Sequence, residues 1–298
     1  MAAPLRLATR GSPLARWQAE HVASLLGGDV ELVLVSTTGD RRTDVPIASL
    51  GGQGVFVKEV QAAVLDGRAD LAVHSAKDLP SGPQSGLVIG AVPERGEPRD
   101  ALVGSTLADL AAGAVVATGS VRRRAQLAAA RPDLGFADLR GNIGTRLDKA
   151  AGFGAIVMAA AALQRLGLDD RITEMLSVEV LLPQVAQGAL AVECRADDDE
   201  VQGRLRTIEH SPSRRAVDAE RAFLAELGGG CDRPVGAHAV INGATIELEG
   251  LLCSLDGRVV LRHAASGDEP AALGRAVARH LLDNAGGQSL LDQLQGRA

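Results

Sequence analysis

The sequence predicts an α/β protein on mixed or parallel sheets, closed by a small C-terminal α+β domain. Three observations predict it. Over the first two-thirds of the chain, apolar strand-like runs alternate with helix-period segments, the pattern of sheets covered on both faces. "LATRGSPLARWQA" near the start is echoed by "VATGSVRRRAQLA" in the middle, each a strand ending in Ala-Thr, then Gly and Ser, then a helix. From Ser211 the texture changes to one amphipathic helix followed by alternating strands with Asn-Gly and Asp-Gly turns.

In order, "LRLAT" reads as a strand and "SPLARWQAEHVASLL" as the helix after it, with Ser12 placed to cap and Pro13 to open the first turn. "VELVLVST" is a second strand, "VFVKEVQAAVLDG" a helix closed by Gly67, "ADLAVHSA" a third strand and "GLVIGAVP" a fourth. After the polar "ERGEPRD" the pattern restarts. "AVVATGS" is a strand, "VRRRAQLAAA" and "NIGTRLDKAA" are helices, and "GAIVMAAAAL" is a strand running into a helix. "SPSRRAVDAERAFLAEL" is the amphipathic helix, stopped by Gly228. "VGAHAVI", "ATIELEGLLCS" and "GRVVLRHAA" form a small antiparallel sheet, which a final helix, "AALGRAVARHLLDNA", covers. The echo puts polar strand-to-helix turns at Thr9–Ser12 and Thr118–Ser120, where open α/β sheets bind ligands, so a cleft between two such domains is the expected site.

A chain of 298 residues exceeds one core and predicts two or three domains. The beginning lacks the layout of a signal peptide, and the longest apolar run, Ala155 to Leu163, is too short to span a bilayer. A soluble cytoplasmic protein with no membrane partner is expected. Three cysteines cannot form a disulfide framework, and no CxxC or HExxH spacing offers a metal site. Cys194 and Cys253 lie in apolar strand-like runs and read as core. The net charge of −6 argues against nucleic acid, yet arginines bunch in "SVRRR" and "LRGNIGTR" beside Gly, Ser and Thr. A small polyanionic ligand is the simplest reading of that bunching.

"HSAKDLP", His74 to Pro80, ends an apolar strand with His, Lys and Asp together. An acid beside a lysine at a strand's carboxyl end suits stabilising a developing cation, or moving a proton, next to an anionic substrate. Phe56 and Lys58 lie on the Gly-rich "GGQGVFVKE", which reads as a flexible lid. Cys231 follows three glycines in "LGGGCDRPVGA", an exposed position for a thiol that calls for a chemical explanation. There is no G-x-S-x-G elbow. On residue chemistry alone two further readings stay open: a solute receptor for a small polyanion, and a Cys-dependent transferase or hydrolase.

Taken in order, "ATRGSPLARWQ", "GVFVKEVQAAVLDGRADLAVHSAKDLP", "GSVRRRAQL", "LRGNIGTRL", "LPQVAQGALAVECR" and "GGGC" resemble the porphobilinogen deaminases, or hydroxymethylbilane synthases. The resemblance implies two periplasmic-binding-protein-like α/β domains flanking a cleft plus a small C-terminal α+β domain: residues 1–93 with 187–206, residues 99–182, and residues 211–298. It implies a monomeric, cytoplasmic transferase of porphyrin and heme biosynthesis. Such an enzyme polymerises four porphobilinogen molecules head to tail with release of ammonia, elongating from a dipyrromethane cofactor. Its product is the linear tetrapyrrole hydroxymethylbilane, with hand-over to the next pathway enzyme.

By similarity, the cofactor is attached to Cys231 through a thioether and is held by Lys77, Asp78, Thr118, Ser120, Arg122, Arg123 and Gln187. Arg10, Ser12, Gln18, Phe56, Lys58, Arg140, Arg146 and Arg165 hold the incoming pyrrole or the growing chain. The chemistry agrees, because each porphobilinogen carries an acetate and a propionate, which guanidinium forks bind in paired hydrogen bonds. Asp78 is the expected catalytic residue: loss of ammonia leaves an electron-poor, azafulvene-like pyrrole, whose charge a carboxylate stabilises. No metal is implied. Gln53 stands where many relatives have lysine and Gly119 where serine is frequent, and the pair Asp232 and Arg233 makes the loop after the cysteine unusually polar.

Overall fold

The computed structural model describes residues 4–37, 54, 57–82, 84–229 and 233–295, and the chain forms two compact units. The first is Met1–Gly96 with Ala189–Arg214, the second Glu97–Gly188 with Arg215–Ala298.

The first unit opens with β1 (Leu5–Arg10), α1 (Pro13–Leu26) and β2 (Val30–Val35), followed by α2 (Lys58–Leu65), β3 (Leu71–Ser75) and β4 (Leu87–Ala91). As expected, Ser12 caps α1, its Oγ accepting the Ala15 N–H at 3.4 Å, and Pro13 occupies the first turn. The second unit begins with β5 (Asp100–Val103), β6 (Val115–Ala117), α3 (Val121–Ala130), β7 (Gly135–Ala137), α4 (Ile143–Lys149), β8 (Ala155–Ala159), α5 (Ala160–Arg165) and β9 (Glu174–Met175). The chain then returns to the first unit with β10 (Leu190–Arg195) and α6 (Asp199–Leu205).

The two large sheets share one topology. Strand order is β2-β1-β3-β10-β4 in the first and β7-β6-β8-β5-β9 in the second. In each, the first three strands are parallel, and the fourth is antiparallel to both its neighbours. The sequence echo is therefore a repeat of architecture, with β1–α1 and β6–α3 in equivalent places. Successive residues of a strand face opposite sides, so both faces bury apolar groups. In the first unit Leu5, Leu7, Leu71 and Val192 pack on Ala19 and Val22 of α1, while Ala8, Val35 and Ala72 pack on Val60, Ala63 and Val64 of α2. In the second, Ile156 and Met158 serve one cluster and Leu102, Val116 and Val157 the other.

α7 (Ser211–Glu226) precedes the C-terminal sheet of β11 (Val235–Asn242), β12 (Thr245–Cys253) and β13 (Val260–Gly267), antiparallel in that order. Asn242 pairs with Thr245 across Gly243, whose φ of +60° suits glycine in a hairpin turn. The chain thus folds as two α/β sheets of one shared topology and a small antiparallel sheet flanked by helices.

Two expectations differ from what is observed. β5 begins on the last residue of "ERGEPRD", a strand of four buried residues with no alternation to mark it in the sequence. The single final helix is instead α8 (Pro270–Arg279), a π-helical turn over His280–Asn284, and α9 (Gly287–Gln295), with Gly286 at φ +83° making the break. Cys194 and Cys253 are core, and burial pushes their thiols up to about 11 and about 12.

Helices α7 and α8 meet at Gly274. A Cβ there would collide with the Ala219 carbonyl oxygen and lie 2.7 Å from the Phe223 amide nitrogen, both backbone atoms that cannot swing aside. Gly274→Ala is expected to destabilise the protein by about 3 kcal/mol despite its better helix propensity, measurable as a lower denaturant midpoint at unchanged slope.

Candidate active site

In the first unit, β3 stops pairing where the Ala76 N–H donates to the Ala189 carbonyl at 3.0 Å, and a 3-10 turn over Ala76–Asp78 follows. Pro80, lacking an N–H, prevents the strand from resuming. Lys77 and Asp78 thus emerge half-buried at the carboxyl end of a central strand. Beside them β1 ends at Arg10, half-buried, with Ser12 capping α1. Gln18, on the buried face of α1, donates from Nε2 to Ser75 Oγ at 2.9 Å and pins the last residue of β3. Lys58, exposed, opens α2 near this turn, since a Cβ on Gly54 would lie 3.6 Å from the Lys58 side chain and 3.8 Å from Pro80.

Behind the turn, His74 is buried with its Nε2 3.1 Å from Glu193 Oε2, outside hydrogen-bond alignment. Gln61 of α2 donates to both Glu193 oxygens, at 3.1 and 2.9 Å. The histidine of "HSAKD" therefore faces the interior, and Lys77 and Asp78 are the members of that motif left at the sheet edge.

In the second unit the equivalent turn follows β6. Thr118 Oγ1 accepts the Ser120 N–H at 3.2 Å, and Ser120 Oγ caps α3 through the Arg123 N–H at 3.4 Å. Arg122 and Arg123 then turn inward onto Asp100, which is fully buried. Arg122 Nη2 donates to one Asp100 oxygen at 2.7 Å. Arg123 Nη2 and Nε donate to the other at 2.7 and 3.0 Å, and Gln187 Nε2 joins them at 2.9 Å. Arg122 Nη1 also serves the Leu182 carbonyl, and Arg123 Nη1 that of Val157.

Burial acts most strongly on the Asp100 carboxyl and pushes it up, but the two guanidinium groups together hold it well below the usual carboxylate range. Burial pulls Arg122 down, opposed by Asp100. One carboxylate among two guanidiniums leaves an excess positive charge. Arg122 Nε is buried with no hydrogen-bond partner among the described residues.

The other arginines occupy the ends of neighbouring elements in the same unit. Arg140 is exposed beyond β7. Asn142 Oδ1 caps α4 through the Thr145 N–H at 2.9 Å, and half-buried Arg146 donates from Nε to the Gly141 carbonyl at 2.8 Å. Arg165 ends α5, donates to the Gly188 carbonyl at 2.6 Å and is pulled down to about 10 by burial, still a cation at neutral pH.

Cys231 and Phe56 lie outside the described residues, as do Gln53 and Asp232. Arg233 donates to the Leu227 carbonyl at 2.8 Å, fastening the chain after that segment to the end of α7. A Cβ at Gly119 would stand 2.9 Å from the Leu139 carbonyl oxygen, which accounts for glycine in this turn. Asp100 had no part in the sequence reading. Its only signal there is an acid that enters an apolar run straight after "ERGEPR".

In each unit taken by itself, basic and hydroxyl side chains at the strand ends have the donor chemistry that a group presenting carboxylates requires, and in the second the buried Arg122 Nε lacks a hydrogen-bond partner among the described residues. A family model for the porphobilinogen deaminase dipyromethane cofactor binding domain matches residues 5–203, and one for the porphobilinogen deaminase C-terminal domain matches residues 215–283. The chain belongs to the porphobilinogen deaminase family. Curated relatives named porphobilinogen deaminase include those of Nitratidesulfovibrio vulgaris, 47% identical over 97% of this chain and 96% of the relative. Those of Brevibacillus brevis and Roseiflexus castenholzii are 45% and 48% identical, covering 97% and 96% of this chain and 97% and 98% of their own lengths.

The family consists of transferases of tetrapyrrole biosynthesis that make hydroxymethylbilane from porphobilinogen, and dipyrromethane is the cofactor of the matched domain. Among the described residues no helix is long and apolar enough to cross a membrane, and no group of three or more His, Cys, Asp or Glu could hold a metal ion.

Proposed function

We propose that this chain joins four porphobilinogen molecules head to tail, releasing ammonia at each addition, and frees hydroxymethylbilane by hydrolysis, as a cytoplasmic monomer that hands its product to the next enzyme. The observation that carries the reading is the Lys77–Asp78 turn, fixed at the end of β3 by the Ala76–Ala189 and Gln18–Ser75 hydrogen bonds. When bound, the dipyrromethane supplies a tethered primer whose free pyrrole end accepts the next ring. Cys231 anchors it, and Lys77, Thr118, Ser120, Arg122, Arg123 and Gln187 hold or aim the donors for its carboxylates.

Arg10, Ser12, Lys58, Arg140, Arg146 and Arg165 receive the carboxylates of the substrate or of the growing chain, with Gln18 assisting and Phe56 offering the pyrrole an apolar contact from the lid segment. Their cationic and hydroxyl donors match acetate and propionate groups. Asp78 places a negative charge beside the pyrrole N–H of the incoming substrate, where positive charge develops as ammonia leaves. In this reading residues 1–93 with 187–206, 99–182 and 211–298 act as three domains.

Intact-protein mass spectrometry tests the assignment. The purified wild type is expected to be heavier than its sequence by two pyrrole units, and Cys231→Ser to lack that addition and the activity. A solute receptor would carry no adduct and form no product, and a Cys-dependent hydrolase would present a free thiol at Cys231 open to thiol reagents. A fully active, unmodified wild type would overturn the proposal.

A further inference from the structure

Ala186 is the one non-glycine residue among those described with positive φ, at +59°. An alanine stays in this left-handed region only where its surroundings enforce it, because its Cβ crowds the following carbonyl. The turn is closed by the Gln187 N–H, which donates to the Gln184 carbonyl at 2.9 Å, and the Ala186 N–H within it is held by Glu220 of α7, wholly buried. Its Oε2 accepts the Ala186 N–H at 2.6 Å and its Oε1 accepts the Ala239 N–H of β11 at 2.8 Å. The residue after Ala186 is Gln187, whose amide donates to the Pro98 carbonyl at 2.8 Å and to Asp100 at 2.9 Å. Asp100 in turn takes the guanidinium groups of Arg122 and Arg123. All these residues belong to one compact unit.

We propose that Glu220 is a positioning residue: by holding Ala186 left-handed it sets Gln187 against Asp100, and so fixes the direction of Arg122 and Arg123. The inference rests on the reading that these two arginines serve the cofactor. Glu220 acts wholly through the protein, and its two oxygens have separable jobs. Oε1 ties α7 to β11 inside the C-terminal domain. Oε2 sustains a backbone conformation that glycine, lacking Cβ, adopts without help. Ala186→Gly should therefore replace the second job and leave the first undone.

The test compares full-length wild type, Glu220→Gln and Glu220→Gln/Ala186→Gly. Glutamine keeps one acceptor oxygen but turns an NH2 group toward the other backbone N–H, so one of the two bonds is lost. Three quantities are read: the fraction of purified protein carrying the two-pyrrole mass addition, KM against kcat for porphobilinogen, and the thermal midpoint.

Glu220→Gln is expected to cut the adduct fraction about tenfold and to raise KM by a similar factor, as misdirected binding groups do. The added Ala186→Gly is expected to restore both, while the thermal midpoint stays low because the link to β11 is still impaired. An adduct fraction and KM equal to wild type in Glu220→Gln, or losses that Ala186→Gly fails to repair, would overturn the proposal. Should Glu220→Gln not accumulate as folded protein, the same comparison is made with Glu220→Asp, whose shorter chain cannot span both N–H groups. A wild type without adduct would instead strike at the assignment of function.

Discussion

Asp78→Asn is expected to lower kcat by about two to three orders of magnitude, while the protein still carries its two-pyrrole addition and KM changes little. The substitution preserves size and leaves an oxygen in place, so the 3-10 turn over Ala76–Asp78 and its anchor on Ala189 have no reason to move. What disappears is the negative charge at the carboxyl end of β3. A group whose interaction is strongest when the substrate becomes cationic contributes to the barrier more than to binding, which is why the loss falls on kcat. The check is a steady-state measurement alongside intact mass and a thermal midpoint. Undiminished kcat at full adduct occupancy would remove Asp78 from the chemistry, and a collapse of the midpoint would show a structural role in its place.

The parts of this structure legible in the sequence are those set by near neighbours in the chain. Ser12 caps α1 through an N–H three residues on, and Ser120 caps α3 in the same way, so both turns can be read from a short window. The repeat of β1–α1 by β6–α3 was visible for the same reason. β5 was not, because a central strand of four buried residues carries no period and begins at the end of a charged stretch that reads as a connector.

The arginine run of "SVRRR" shows the limit most plainly. Its bunching suggested an open grip for an anion, yet Arg122 and Arg123 close on a buried Asp100, and of the three only Arg124 is exposed, near the ring of Phe136. Asp100 belongs to another segment of chain, and nothing local in either stretch announces the pairing. Ala186 is harder still to read, since the N–H of this left-handed residue is held by a carboxylate from a distant helix.

Asp100→Asn carries the other large expected effect. It would leave two buried guanidinium groups facing a neutral amide, and removing one partner of a buried ion cluster costs about 3–5 kcal/mol because the remaining charge is uncompensated. The sign of its pH dependence follows from the carboxyl's position well below the usual range in the fold. Above the unfolded value, about 3.9, the folded state gains the full benefit of the ionised group, and this is lost as pH falls toward the folded value. The stability difference between wild type and Asp100→Asn should therefore be largest and flat near neutrality and shrink below about pH 4. Denaturant unfolding of both proteins from pH 7 to pH 3 measures it. A difference that stays constant across that range would mean that Asp100 stabilises the cluster by shape and hydrogen bonding alone. A difference that narrows shows that its charge is what lets two adjacent arginines turn inward from the first turn of α3 and stay buried there.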